Sequence, residues 1–267
     1  MPNADLSDAP LILDADGPIA TITLNRPAQL NALDEAMAAA FLAAVQALGE
    51  KPDLRVIVLR GAGRGFMAGG DLSRIHAAIG QGGAAVDPIM QPLHQGLTLL
   101  AEMPQPVIAS LHGPVAGAGM SVAMAADLAI AADDAKFTLA YARIGTSIDG
   151  SGSYHLPRLV GLRKALEIAL LADTLDSAEA QRLGLVNFVV PAAELVDRTA
   201  ALAARLATGP TFAYGQIKRL LRTSLGRDLP GQLDAERAAF HACMATADFA
   251  EGVGAFLGKR AATYTGK

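Results

Sequence analysis

The chain has one cysteine, Cys243, and no tryptophan among its 267 residues. A single thiol excludes a disulfide framework and a cysteine-based zinc site. Cys243 therefore reads as a small apolar residue within a helix. Charge is also scarce: 18% of residues are charged against 52% hydrophobic. There is no Lys/Arg block and no basic–aromatic interleaving, and the formal charge is −4. Nothing here draws the chain to nucleic acid or to an anionic membrane. Residues 103–126 hold no Asp, Glu, Lys or Arg, a run long enough to span a bilayer. Pro104, Pro106, Pro114, several glycines and His112 break it into an apolar strand, PVIASLHG, and a small-residue helix, GAGMSVAMAAD. The run is expected in a buried core. The start, MPNADLSDAPL, is polar and acidic, unlike a signal or transit peptide, so a cytoplasmic protein is expected. Also missing are a Walker lysine and a clean G-x-G-x-x-G leading into a helix.

What is present alternates between strand and helix. LILDADGPIATITLNRP reads as a hairpin turning at Asp16-Gly17. Asn31–Leu48 reads as a helix, with Asn31 or Asp34 as its cap and Gly49 near its end. RVIVLRGAG is a short apolar strand, Pro88–Met103 a helix, 106–111 a strand, and LAIAADDAKFTLA two short strands. Strands apolar on both faces, alternating with helices, predict an α/β layered fold. After about residue 190 four helical segments follow with no strand between them. The expected division is a core over residues 1–195 and a helical region over 196–267, whose apolar faces suit packing on the core or on another subunit.

Two glycine-rich turns follow strands and open helices: GAGRGFMAGGD (61–71) and HGPVAGAGMS (112–121). Glycine permits positive φ and close packing, and each turn alone says no more. As a pair they bring two backbone N–H groups that could converge on one oxygen, an oxyanion hole. A helix beginning near residues 117–119 would add its dipole. A third stretch, GTSIDGSGSY (145–154), places Asp149 ahead of the helix-like run YHLPRLVGLRKALEIALLA. By local sequence Asp149 reads as a helix N-cap.

RGFMAGGDL, PQPVIASLHGPVAGAGMSVAMAADLAIAADDAKFTLAYARIG and AQRLGLVNFVVP together resemble the crotonase, or enoyl-CoA hydratase/isomerase, superfamily, from about Leu11 to Arg260. The resemblance implies a ββα spiral core, a C-terminal helical trimerisation region, and a homotrimer or dimer of trimers. It implies an acyl-CoA thioester as ligand, with coenzyme A as part of the substrate and no separate bound cofactor or metal. By motif position the oxyanion N–H donors are those of Gly70 and Ala118; the family usually has glycine at the second.

The departures narrow the chemistry. Hydratases of the family carry two glutamates where this chain has Ser121 and Tyr141. Water addition needs a general acid and base, and neither residue supplies a carboxylate, so hydratase activity is disfavoured. Asp149, four residues after Gly145, matches the aspartate that serves as proton-transferring base in dienoyl- and ring-directed isomerases of the superfamily. It also matches the nucleophile of the 4-chlorobenzoyl-CoA dehalogenase branch. SYHLPRLVGLRKALEI follows that branch's pattern, and His94 in PLHQGLTLLAEMPQPV matches its histidine. Tyr141 stands where that branch has tryptophan. The expected activity is enoyl-CoA isomerisation, with dehalogenase-like hydrolysis or non-catalytic acyl-CoA binding as alternatives.

Around these, Asp71 is expected to cap or orient the turn carrying Gly70, and Tyr141 to wall the pocket or donate a hydrogen bond. His112 is expected to be packed or hydrogen-bonded, His155 to face the neighbourhood of Asp149, and His241 to belong to the C-terminal helices. For coenzyme A the chain offers Arg26, Arg64, Lys259 and Arg260, with Ala68 and Gly70 as candidate backbone contacts; the resemblance implies that the NRP arginine, Arg26, and C-terminal basic residues of a neighbouring subunit approach the phosphates.

Overall fold

The computed structural model describes residues 9–267; the polar opening stretch read above for targeting falls mainly outside the described residues. The hairpin forms from β1 (Leu11–Asp14) and β2 (Ile19–Leu24), antiparallel, with Gly17 at φ +101° in the connection. Asp34 caps α1 (Glu35–Gly49) by accepting from Met37 N at 2.8 Å. Asn31 is outside the helix, in left-handed conformation with a fully buried side chain. β3 (Val56–Gly61) then leads into the first glycine-rich turn and α2 (Leu72–Ala77), and α3 spans Asp87–Glu102.

After β4 (Val107–Leu111) the second turn contains a strand that sequence reading missed, β5 (Pro114–Ala116). α4 (Ala118–Ala125), β6 (Leu128–Ala132) and β7 (Lys136–Thr138) follow. The run after Asp149 divides at Gly161, φ +78°, into α5 (Gly152–Val160) and α6 (Leu162–Leu171). Then come β8 (Leu175–Asp176), α7 (Ser177–Arg182), β9 (Phe188–Val190) and the terminal helices α8 (Leu195–Ala207), α9 (Thr211–Thr223), α10 (Leu229–Met244) and α11 (Ala247–Leu257).

The main sheet has the order β1-β2-β3-β4-β6-β9, parallel except for β1 against β2. A small second sheet, β5-β7-β8, stands beside it. Both faces of the main sheet are covered, which is why its strands read as unbroken apolar runs. On one face α1, α3 and α4 enclose the larger core around Phe41, Leu59, Phe66 and Leu111. On the other, Val58, Ile108 and Ile130 pack with Leu195 and Ala203 of α8, and Ser110 Oγ lies 2.9 Å from Thr199 Oγ1. So α8, expected in the helical region after residue 195, covers the sheet. The helices α9–α11 make up the remaining extension.

α9 is fastened by charge. Lys218 Nζ reaches Asp127 Oδ2 at 2.8 Å and donates to the carbonyls of Leu100 and Gln105. Arg222 pairs with Asp127 Oδ1 at 2.8 Å. Burial pushes the Lys218 amine below its usual value, while Asp127 opposes that shift.

Candidate active site

The first glycine-rich turn is built from inside. Asn31 accepts from Arg26 N at 2.9 Å and donates to the carbonyls of Ala62, Gly65 and Phe66 at 2.9–3.0 Å. The Arg26 guanidinium bonds the Ala32 carbonyl and pairs with Asp34 and Asp71, both at 3.1 Å. Asp71 caps α2, accepting from Ser73 N at 3.1 Å and Ser73 Oγ at 2.6 Å. The Ser73 hydroxyl, then Arg26, hold its carboxyl below the usual range. Asp71 thus orients the turn as expected. Arg26 has internal acids as partners and is only 18% exposed, a placement that suits bracing this turn.

The second turn presses against the first. His112 Nε2 contacts the Gly63 carbonyl at 2.9 Å, a hydrogen-bonded role as expected. A side chain at Gly113 would overlap the Arg64 carbonyl, and one at Gly119 the Met67 carbonyl. A methyl group at Gly69 would meet Ala118 N at 3.5 Å. The Gly70 and Ala118 stretches are therefore neighbours. Leu33 pairs with Gly70 through Gly69 O and Asp71 N, which leaves Gly70 N out of the ladder. Ala118 is the first residue of α4, where an N–H has no intrahelical acceptor. Among the described residues neither N–H has a hydrogen-bond partner.

One turn along α4, fully buried Ser121 meets Tyr141. Their oxygens are 3.1 Å apart, and the Tyr141 hydroxyl donates to the Asp149 carbonyl at 3.0 Å. Since the phenol's one proton goes to that carbonyl, Ser121 donates to Tyr141. Burial, with the Asp149 charge adding to it, pushes the phenol up to about 12. Tyr141 is thus a proton-bearing donor at neutral pH. It binds the main chain of Asp149, not its carboxylate.

Asp149 does not cap α5. Ser151 occupies the cap position at φ +70°, and the Asp149 carboxylate points elsewhere. Its Oδ1 accepts from Gly150 N at 2.5 Å and lies 2.7 Å from His94 Nε2, which comes from α3. Its Oδ2 has no partner among the described residues. The loop is pinned to α4: a methyl at Gly150, φ +59°, would meet Ser121 Cβ at 3.3 Å and Leu93 Cδ2 at 3.6 Å. Four sequence-predicted residues, Ala118, Tyr141, Asp149 and His94, are thereby gathered around the start of α4, with Gly70 beside them.

His155 lies within the influence of the Arg222 and Arg158 charges. It lines a cavity of about 590 Å³ with His94, Ser151 and Arg222. Arg64 and Lys259 are exposed and have no side-chain partner among the described residues. Lys259 is at φ +51° just after α11. Ala68 donates its N–H to Leu30 O at 3.0 Å. Arg260 pairs with Glu251 at 2.7 Å, holding that carboxyl down at about 2. Among the described residues no cluster of three or more His, Cys, Asp or Glu could hold a metal, and no helix is long and apolar enough to cross a membrane.

A family model described as enoyl-CoA hydratase/isomerase matches residues 14–267. The chain belongs to that family. It is 38% identical to 1,2-epoxyphenylacetyl-CoA isomerase of Escherichia coli K12, covering 93% of this chain and 95% of that one. It is 40% identical to a "probable enoyl-CoA hydratase" of Rhodobacter capsulatus over the same shares. An enoyl-CoA hydratase structure from Polaromonas sp. JS666 superposes with a TM-score of 0.90 at 32% identity, covering 95% of this chain and 99% of that one. The fold of this enoyl-CoA hydratase/isomerase family member is therefore the crotonase-like ββα spiral expected from its motifs. It is an acyl-CoA enzyme of that superfamily. Sequence reading missed the bracing role of Asn31 and the contact between Ser121 and Tyr141. Both depend on a loop closing over residues distant in the chain, and neither has a local signature.

Proposed function

We propose that this protein is an acyl-CoA isomerase in which Asp149 is the proton-transferring base. The observation that carries the proposal is the replacement of the expected acid pair. Ser121 and Tyr141 occupy those positions and bond each other, while the loop carrying Asp149 packs on Ser121 through Gly150 and the carboxylate's Oδ2 has no partner among the described residues. Asp149 takes a proton from the acyl chain beside the thioester. The resulting dienolate oxygen is held by the N–H groups of Gly70 and Ala118, where the α4 dipole adds to the field. Returning the proton two carbons along completes the isomerisation. Nothing is added or lost, so one base suffices. The free cations Arg64 and Lys259 are the candidates for the coenzyme A phosphates, with Ala68 and Gly70 as backbone contacts. Arg26 acts through the turn it braces. One relative is named 1,2-epoxyphenylacetyl-CoA isomerase and another a probable enoyl-CoA hydratase, so the isomerase reading rests on the residues and not on those names. We place the enzyme in a homotrimer or dimer of trimers in the cytoplasm.

The test is a panel of enoyl-, dienoyl- and benzoyl-CoA thioesters, with Asp149→Asn as the variant. Isomer formation should fall at least about 10³-fold in the variant, the scale of losing an essential proton-transfer group. Thioester binding should persist. Full turnover by Asp149→Asn removes Asp149 from the mechanism. Absence of binding across the panel removes the acyl-CoA assignment.

The His94 contact favours a second reading, in which Asp149 attacks an electron-poor ring carbon and His94 activates water to hydrolyse the aryl ester. That reading requires a mass increase on the Asp149 peptide with 4-chlorobenzoyl-CoA and chloride release. Isomerisation of an enoyl-CoA without chloride release excludes it.

A further inference from the structure

The two oxygens of the Asp149 carboxylate are held very differently. Oδ1 accepts from Gly150 N at 2.5 Å and is 2.7 Å from His94 Nε2, whereas Oδ2 has no partner among the described residues. The Gly150 contact is local, between adjacent residues. The His94 contact comes from α3, 55 residues away in sequence, and resists rotation of the carboxylate about its own bond. α3 is itself set against the loop, because Leu93, 2% exposed, lies beside Gly150. From the main-chain side, Tyr141 holds the Asp149 carbonyl.

Resting on the isomerase reading, we propose that His94 is a positioning residue: its Nε2–H engages Oδ1 and commits Oδ2 of Asp149 to the substrate. The lone pairs of Oδ1 then face N–H donors, and only Oδ2 presents lone pairs to an acyl proton. Proton removal and return use the same oxygen, on one face of the acyl group. The same hydrogen bond occupies the ring nitrogen nearest the reaction centre, so His94 touches Asp149 and not the reacting carbons. Its side chain is 47% exposed along the cavity shared with Thr98, Glu102 and Ser151. Substituting it leaves no buried void.

The proposal is tested with 3-hexenoyl-CoA, deuterated at the α carbon, on the full-length protein and on His94→Phe, His94→Gln and Asp149→Asn. His94→Phe removes the donor and should lower kcat about 10- to 100-fold, the worth of a hydrogen bond to a charged group, with KM within about twofold. His94→Gln keeps an N–H donor and should restore kcat to within about fivefold. The fraction of deuterium carried from α to γ should drop in the phenylalanine variant, whose carboxylate turns and exchanges with solvent, and recover in the glutamine variant. A downfield imidazole N–H resonance should be present in the unliganded protein and absent from Asp149→Asn, a readout that needs no turnover.

His94→Phe with unchanged kcat and label transfer overturns the proposal. So does a raised KM alone, which reports only a pocket wall. His94→Gln as slow as His94→Phe overturns it in favour of chemistry on the ring itself. If the phenylalanine variant does not fold, His94→Ala carries the same expectations. Turnover by Asp149→Asn sinks the isomerase reading and this inference together. A dead Asp149→Asn beside a fully active His94→Phe sinks this inference alone.

Discussion

His155 shows how little a residue's position in the chain says about its charge. It stands in the first turn of α5, six residues after Asp149, and shares a cavity with His94. In the fold it is surrounded by Tyr154, Arg158 and Arg222. Burial first, then the charges of Arg222 and Arg158, push the imidazole down to about 4. The unfolded chain gains this proton near pH 6.5, whereas the folded one stays neutral until about 4. The unfolded state therefore binds more protons between those values, and stability is lost as pH falls through that window. His155→Gln should reduce the slope of unfolding midpoint against pH between about 4 and 6.5. Urea titrations of both proteins at several pH values check this, and parallel curves would contradict it. Tyr141 shows the same lesson from the opposite direction. Its position beside a family acid site is legible, but its donation to the Asp149 carbonyl depends on a loop fold that no local pattern encodes.

At the level of elements, the two glycine-rich turns behave as one unit. Each was legible as a strand-to-helix connection, and their pairing as a place for two N–H donors was legible from their similarity. The short strand β5 was not, because three residues flanked by Gly113 and Gly117 show no alternation. It exists because its edge pairs in parallel with β7. Contact between the turns is backbone against backbone. Gly119→Ala would drive a methyl group into the Met67 carbonyl, where no flexible side chain can give way. The expected result is a destabilisation of about 1–3 kcal/mol, as for overpacking, with a loss of turnover larger than the loss of folded protein. Gly49→Ala, at a glycine with nothing within 4 Å, should stay within about 0.5 kcal/mol. Thermal unfolding and kcat measured on both variants separate the two outcomes. Equal effects would mean that the turns yield.

At the level of the whole molecule, the single chain carries an apolar exterior on its C-terminal helices and on α6. Leu162, Leu170, Leu221, Leu225 and Leu229 are each about 70% exposed, and Phe256 is 83% exposed. Leucine and phenylalanine at that exposure on several adjacent helices are too many for a solvated monomer surface. Covering one such side chain is worth about 1.5–3 kcal/mol, which is the driving force for the assembly proposed above. Sedimentation should show a species larger than one chain, and Leu225→Arg with Phe256→Asp should shift it toward the monomer. A wild-type protein sedimenting as a monomer would refute the assembly proposed above.

Composition and pattern by themselves determined the layered α/β class, the buried reading of 103–126 and the helical C-terminal region. These rest on hydrophobic periodicity and on proline and glycine placement, which act over a few residues. The family motifs added the spiral and named Gly70, Ala118, Asp149 and His94 as candidates. Tertiary structure alone decided that Asp149 leaves the cap of α5 to Ser151 and turns Oδ1 to His94. It also decided that Arg26 is bound to Asp34 and Asp71, and that α8 joins the core sheet. The physical reason is common to all of these. A hydrogen bond or ion pair between residues tens of positions apart is set by where the packed sheet and helices bring them, and its partners compete for the same few donors and acceptors only after the chain has closed.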